Sequence, residues 1–214
     1  ATLTIGGING VTTLPEYRRH GLGGTVMEAC AQQMKDLGCH LGLLGTKITN
    51  WYRKLGWENA GTSCLYELNR SNVALLPTLE SPLRIHDAGT TPDDATLESL
   101  ICLRHGDSLG GIRTTSLMRT LHHARKEPRV VFALKHDHPA AYILVRNRSI
   151  VEWAGESRTV AALIRRWYET CDDPRANTSA RNSNNTVTCS DLMEVTAPAK
   201  GHRLSDLFNS LGLP

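Results

Sequence analysis

The residues whose types and spacing could do chemistry are concentrated in the run Pro15–Gly24, Pro-Glu-Tyr-Arg-Arg-His-Gly-Leu-Gly-Gly. Two arginines, Arg18 and Arg19, precede three glycines, and the run lies between a predicted strand and a predicted helix. The first N–H groups of a helix are unpaired and carry the positive end of its dipole, so they bind phosphate groups. Glycine lets an anion approach the backbone, and arginine donates bidentate hydrogen bonds to phosphate oxygens. The run therefore predicts a phosphate or pyrophosphate site.

Two common nucleotide-binding motifs do not fit this run. A P-loop requires Gly-Lys-Ser/Thr, but Gly24 is followed directly by Thr25. The dinucleotide fingerprint requires a third glycine at the position that Val26 occupies. A tight turn without a ligand is the alternative interpretation, and the arginines and the strand–helix setting favour the anion site over it.

A second run that could carry chemistry is Thr49–Trp57, Thr-Asn-Trp-Tyr-Arg-Lys-Leu-Gly-Trp. Taken alone, Tyr52 would be a packing tyrosine whose hydroxyl meets solvent. A catalytic role for its hydroxyl follows only from the resemblance described next.

The two runs together resemble the GNAT superfamily of N-acetyltransferases. The family signature Arg-x-x-Gly-x-Gly is matched by Arg18, Gly21 and Gly23. The run Thr49–Trp57 is similar to the family's block of an aromatic residue, a tyrosine and a Gly-aromatic pair. The resemblance covers roughly residues 1–68. It implies the GNAT (acyl-CoA N-acyltransferase) fold of the α/β (α+β) class, with a mixed central sheet flanked by helices.

The resemblance also implies a chemistry. Acetyl-CoA would be the co-substrate, no metal would be needed, and the acetyl group would pass directly to a primary amine of a small molecule or protein. In this acyltransferase, Tyr52 would protonate the leaving CoA thiolate. The residues expected to bind the co-substrate are Val11, Thr12, Thr13, Arg18, Arg19, His20, Gly21, Leu22, Gly23, Gly24 and Asn50.

The elements that position these residues follow from hydrophobic periodicity and turn signals. We predict a strand over Thr2–Thr13 that ends before Pro15, and a helix from Leu22 that ends before Gly38. A strand over Leu41–Leu44, a short helix that closes at Gly56 and a strand over 62–68 follow. The crossover helix predicts that the first two strands are parallel.

The sequence predicts three regions along the chain. Residues 1–70 would be the C-terminal half of a GNAT acetyltransferase domain, 71–94 a linker, and 95–214 a degenerate GNAT-like domain, as in tandem GNAT proteins. In the last region, strands over Val130–Lys135, Ala141–Arg146 and Ile150–Trp153 lead to a helix over Thr159–Tyr168. Glu156-Ser157-Arg158 stands where a glycine loop would be expected, so we do not expect CoA binding there. The opening half of the first domain is not found before Thr13, so we expect either an N-terminal truncation or elements supplied from elsewhere.

The composition sets the remaining expectations. A chain of 214 residues with 40% hydrophobic residues, 21% charged residues and a formal charge of +3 is typical of a soluble globular protein, which we expect in the cytoplasm. We expect acetyl-CoA and an amine as partners, with no nucleic acid and no membrane, and homo-oligomerisation stays open. The six cysteines lack disulfide or zinc spacing and are expected to be reduced and mostly buried. His122 and His123 could bind a metal, but helix-surface positions are favoured.

Two other functions compete with catalysis. A non-catalytic acyl-CoA-binding or scaffold protein on a decayed GNAT fold would explain the truncated start and the degenerate second half. An anion- or nucleic-acid-binding module using Arg18 and Arg19 is the less favoured alternative. No general base can be assigned, because nothing in the sequence places Glu16 or Glu67 beside an amine.

Overall fold

The computed structural model describes residues 2–61, 63–106, 111–172, 192–198 and 203–213. The chain divides into two compact units, unit 1 (Ala1–Ala60) and unit 2 (Gly61–Pro214). The strands are β1 (Ile5–Ile8), β2 (Leu41–Leu44), β3 (Ser63–Leu68), β4 (Leu83–Gly89), β5 (Arg129–Lys135), β6 (His138–Arg146), β7 (Ser149–Gly155) and β8 (Met193–Pro198). The helices are α1 (Leu22–Asp36), α2 (Thr49–Arg53), α3 (Asp94–His105), α4 (Thr115–Ala124), α5 (Ser157–Asp172) and α6 (Arg203–Ser210).

Unit 1 is a two-stranded parallel ribbon, β1–β2, joined through α1. The prediction of parallel strands is therefore confirmed. α1 and the segment after α2 pack on one face of the ribbon, so closely that a Cβ atom added at Gly6 would lie 2.5 Å from Met34 Sδ. At Gly42 it would lie 2.8 Å from Trp57 Cη2. Glycine at these two positions is what allows helix and strand to approach.

The other face of the ribbon is uncovered. Ile5 pairs with Leu41 across the ladder, and Leu43 lies two residues further along the same face. These three side chains are 51%, 55% and 57% exposed, in that order. In unit 1 the buried apolar side chains are Met27 and Tyr52. Unit 1 therefore has almost no core of its own among its described residues.

Unit 2 contains a six-stranded mixed sheet in the order β3-β8-β7-β6-β5-β4. One face packs against α5 and α6, with Val160, Leu163 and Phe208 fully buried. The opposite face packs against α3 and α4 through a second cluster that includes Leu97, Leu100 and Met118. The unit is a three-layer arrangement with a core on each side of the sheet.

The neighbouring parallel strands β7 and β8 pair over a short stretch, Ser149 with Glu194 and Ile150 with Val195. Beyond that point β7 stays with β6 as far as Gly155, whereas β8 continues in antiparallel pairing with β3. The two parallel strands thus part at their carboxyl ends, just before α5.

Two expectations about the middle of the chain differ from the structure. Residues 71–94 were expected to be a linker, but β4 lies there at the edge of the six-stranded sheet, antiparallel to β5. Its half-buried Leu83 and Ile85 alternate with exposed Arg84 and His86, a pattern of an edge strand that the neighbouring prolines obscure. β3, which the expected boundary at residue 70 assigned to the first half, pairs with β8 of unit 2.

The other predicted elements are present with small shifts. The first strand is shorter than expected, because backbone pairing covers Ile5–Ile8 and not the segment up to Thr13. The cysteine prediction is wrong in part, because none of the five described cysteines is fully buried: Cys102 is exposed and the other four are half-buried. Cys189 lies outside the described residues.

Candidate active site

A cleft of about 530 Å³ lies within unit 1, at the N-terminal end of α1. It is lined by all the residues predicted for the site except His20 and Asn50, both of which are exposed. The structure therefore brings the glycine loop, the segment after β1 and Tyr52 to one concave surface. The shared lining residues are Val11, Thr12, Thr13, Arg18, Arg19, Gly21, Leu22, Gly23, Gly24 and Tyr52.

The N-terminus of α1 opens into this cleft without a side-chain cap. Gly21 is the N-cap residue, with φ 77°, a left-handed conformation that glycine adopts without steric cost. Its carbonyl accepts the first helical hydrogen bond, from Thr25 N–H at 3.2 Å. The N–H groups of Leu22, Gly23 and Gly24 precede that bond, so they are free to bind an anion.

Close packing fixes the loop against the second sequence block. A Cβ atom added at Gly23 would lie 3.2 Å from Trp51 Cζ2, so the helix start rests on the indole ring. The Trp51 ring in turn meets the Tyr52 ring edge-on, with centroids 4.7 Å apart. Tyr52 is buried, while its neighbour in sequence, Arg53, is paired on the surface with Glu58 at 3.4 Å.

The segment after β1 supplies unpaired backbone to the same cleft. In the described part of the chain, the N–H and C=O groups of Val11 and Thr12 have no hydrogen-bond partner. The carbonyl of Thr13 accepts a hydrogen bond from Arg18 Nε at 3.1 Å, which ties the glycine loop to the end of this segment. An extended ligand can therefore pair with the free backbone groups, as a further strand would.

Three residues that are not among the predicted site residues also line the cleft: Tyr17, Ile48 and Trp51. Tyr17 and Trp51 belong to the two runs that carry the motif, so their proximity was available from the sequence. Ile48 lies just before α2 and carries no pattern that would have marked it. None of the lining residues is acidic, and the described residues hold no cluster of metal ligands.

The comparisons with known proteins agree with this geometry. Residues 1–60 match the family model described as acetyltransferase (GNAT) domain. Solved structures of GNAT proteins superimpose on nearly the whole chain. The chain is a GNAT-fold protein. No curated protein sequence matches it.

Three of these structures show the extent of the likeness. A GCN5-related N-acetyltransferase from Anabaena variabilis shares 17% identity over 98% of this chain and 50% of its own, with a TM-score of 0.63. A conserved protein of unknown function from Enterococcus faecalis, a probable N-acyltransferase, shares 17% identity over 98% of this chain and 51% of its own, with a TM-score of 0.65. A tandem GNAT protein from the clavulanic acid biosynthesis pathway shares 12% identity over 99% of this chain and 72% of its own, with a TM-score of 0.59.

This GNAT-fold chain spans about half the length of the first two structures. The likeness at these identities shows a shared fold, whereas the family model addresses unit 1, where the cleft lies. Among the described helices of the GNAT-fold protein, none combines the length and apolar character needed to cross a bilayer.

Proposed function

We propose that this GNAT-fold protein is an N-acetyltransferase that uses acetyl-CoA as acyl donor and a primary amine as acceptor. The observation that supports the proposal best is the cleft that joins the uncapped start of α1, the free backbone of Val11 and Thr12, and buried Tyr52. Acetyl-CoA has a charged pyrophosphate, an extended amide-bearing arm and a thioester. The cleft offers a suitable group for each.

The pyrophosphate end would be held by the N–H groups at the start of α1 together with Arg18 and Arg19. Helix N–H groups and guanidinium groups both favour negative charge, and glycines allow the phosphate to reach the backbone. Because Arg18 already donates its Nε–H to Thr13 O, its guanidinium is oriented before a ligand arrives. Its terminal nitrogens remain available for phosphate oxygens.

The thioester end would lie near Val11–Thr13 and Tyr52. Backbone N–H groups that are already free can stabilise the negative charge that develops on the thioester oxygen, without reorganisation. The Tyr52 hydroxyl would donate its proton to the CoA thiolate as it leaves, a general-acid role. Trp51 packs edge-on against the Tyr52 ring and restrains its orientation.

The second unit would be a degenerate GNAT-like domain that shapes or supports the protein without binding CoA. Its strands β5, β6 and β7 followed by α5 repeat the order expected of that domain. The chain would then contain two GNAT-like units in tandem.

A non-catalytic acyl-CoA-binding protein is the alternative, and one observation favours it. None of the cleft residues carries a carboxylate or imidazole that could deprotonate an amine. Amines can also lose a proton through water, so this observation separates the two functions only when turnover is measured.

The proposal is tested by titrating acetyl-CoA into the protein by calorimetry and then measuring CoA release over a panel of primary amines. We expect Tyr52→Phe to bind acetyl-CoA normally but to lower kcat by about a hundredfold, the usual contribution of a general acid. Tyr17→Phe removes a hydroxyl from the same cleft, outside the predicted catalytic group, and shows whether the loss belongs to position 52.

Three outcomes decide between the functions. Binding with CoA release that depends on Tyr52 supports the transferase. Binding without CoA release from any amine supports the non-catalytic alternative. Absence of acetyl-CoA binding overturns both.

A further inference from the structure

A second cavity, of about 480 Å³, lies within unit 2 beside α3 and α4. It is bounded by the loop after β4 and by one side of α4. Buried Leu97 and His122 contribute to its lining, and the remaining lining residues are mostly polar. A volume of this size falls within the range of small-molecule sites. Nothing in the proposed acyl-CoA chemistry uses this cavity.

His122 gives the cavity a fixed hydrogen-bond acceptor. The side chain is 5% exposed, although its sequence context favoured a helix-surface position. Its Nε2 lies 2.8 Å from the carbonyl oxygen of Pro128. Since a carbonyl only accepts, Nε2 carries the hydrogen, and in the neutral ring Nδ1 is an acceptor.

His122 Nδ1 has no partner among the described residues. It is also not among the described buried polar atoms that lack both solvent contact and a partner, so it retains some contact with solvent. A polar atom at this depth calls for a hydrogen-bond donor. The described residues provide none, so the donor comes from water or from a ligand that displaces water in the cavity.

The rim of the cavity provides donors for an anion. Arg119 forms an ion pair with Asp94, which occupies one of the five N–H groups of its guanidinium. The hydroxyls of Thr90 and Thr91 have no hydrogen-bond partner among the described residues. Guanidinium and hydroxyl groups together are suited to a carboxylate.

The rim also contains one carboxylate. Glu127 lies 3.2 Å from Nδ1 of His123, and both residues line the cavity. A carboxylate near the entrance favours a ligand whose donor is positively charged over one whose donor is a neutral hydroxyl.

We propose that this cavity binds a small carboxylic acid whose neighbouring carbon carries a hydrogen-bond donor, an amino acid in preference to a hydroxy acid. The carboxylate contacts Arg119 and the loop threonines, the donor reaches Nδ1 of His122, and the carbon body lies against Leu97. This site is independent of the acyl-CoA cleft, so either proposal can fail alone.

Three probes with one three-carbon skeleton test the proposal: L-alanine, L-lactate and propionate. They carry an ammonium, a hydroxyl and a hydrogen, respectively, at the carbon next to the carboxylate. We expect alanine to bind most tightly and propionate to bind about tenfold more weakly, as the loss of one buried hydrogen bond requires. Imidazole ¹⁵N spectra of the wild-type protein should show His122 as the Nε2–H tautomer, with an Nδ1 signal that shifts on addition of alanine.

Two variants test the contacts to the donor end and to the carboxylate end of the ligand separately. His122→Gln keeps an N–H that can donate to Pro128 O but has no counterpart of Nδ1, so we expect alanine and propionate to bind equally. Arg119→Gln should weaken all three probes. Arg166→Gln, which removes an exposed guanidinium from α5, is the matched control and should leave the affinities unchanged.

Two results would overturn the proposal. One is equal affinity of the wild-type protein for alanine and propionate. The other is a His122 ring signal that none of the three probes shifts. If lactate binds more tightly than alanine, the preference for an amino acid is wrong and the hydroxy acid replaces it.

Discussion

The N-termini of α1 and α5 occupy corresponding places in the two units, and their chemistry is opposite. Each helix follows a strand of a parallel pair, β1 in unit 1 and β7 in unit 2. The α1 start has no side-chain cap. At α5, Glu156 accepts hydrogen bonds from the N–H groups of Arg158 and Thr159 at 2.9 and 2.7 Å and from the Thr159 hydroxyl at 2.9 Å.

The N-terminus of a helix can either bind an external anion, as we propose for α1, or bind a carboxylate of its own chain, as α5 does. In unit 2 the carboxylate of Glu156 occupies the N–H groups that a phosphate would need. Burial raises the pKa of Glu156, but the hydrogen bonds from Arg158 and Thr159 outweigh it and lower the pKa below its ordinary value. The carboxylate therefore stays charged, and it repels any second anion at α5.

The same self-sufficiency is found deeper in unit 2. Glu152 on β7 is buried and accepts hydrogen bonds from Arg113 at 2.7 and 2.9 Å and from the Tyr142 hydroxyl at 2.7 Å. Arg125 forms a further ion pair with it. Arg113 precedes α4 and Arg125 follows it, so one carboxylate holds both ends of that helix to the sheet. Around Glu152 the charges of unit 2 are paired with one another, whereas unit 1 leaves Arg18 and Arg19 at an open cleft.

The largest effect expected from this contrast is acid destabilisation of unit 2. Burial alone would raise the pKa of Glu152, but the hydrogen bonds from Arg113 and Tyr142 and the charge of Arg125 lower it to about 2. Because the pKa is lower in the folded state, the ionised Glu152 stabilises the folded protein fully above the ordinary pKa of 4.5. This stabilisation is lost progressively as the pH falls to about 2. We expect a loss of about 3 kcal/mol over this window, measured by hydrogen exchange of the β6 and β7 amides.

Glu152→Gln is the control for that titration. It removes the charge and keeps an acceptor, so the acid-dependent loss should disappear while stability at neutral pH falls by about 3 kcal/mol, since two guanidinium groups lose their counterion. An unchanged pH profile in the variant would assign the acid sensitivity to other carboxyl groups.

The arginines at the cleft of unit 1 should contribute to the affinity for acetyl-CoA. Replacing Arg18 by Gln removes a charge-assisted hydrogen bond to the ligand, and we expect acetyl-CoA to bind about tenfold more weakly. The remaining affinity should also depend less on salt. Arg53→Gln, an exposed arginine of the same unit paired with Glu58, should leave calorimetric affinity unchanged. Equal losses in both variants would mean that net charge, and not the loop, attracts the ligand.

The smallest effect concerns the self-capped helix. We expect Glu156→Ala to lower the stability of unit 2 by about 1 kcal/mol, the usual cost of losing an N-cap. Urea denaturation measures this cost. The calorimetric stoichiometry of acetyl-CoA should stay at one per chain, because unit 2 also lacks the arginine–glycine loop. A second binding event in this variant would show that Glu156 alone excludes the ligand.

Local patterns were sufficient to predict α1, α2, α5, most strands and the residue types that line the cleft. The glycine loop and the block around Tyr52 are short in sequence and carry their chemistry in residue types. Ion pairing between residues that are far apart in the sequence could not be predicted. Nothing near Glu152 indicates that Arg113 and Arg125, 39 and 27 residues away, would neutralise it.

Two predictions differ from the structure for different physical reasons. The segment that forms the edge strand β4 is typical of a linker in sequence, because prolines flank it and its only strand partner, β5, is distant in sequence. His122 is predicted at a surface because a histidine has no apolar signature, although the helix face that it shares with Met118 is buried.

The uncovered face of the β1–β2 ribbon has a consequence for calorimetry. We expect a two-stranded ribbon with so few buried side chains to be marginally stable. A ligand that clamps the start of α1 would then order unit 1 as it binds. The heat capacity change of association should therefore exceed what the contact area of the cleft accounts for, the signature of folding coupled to binding. Measured affinity would fall steeply with warming.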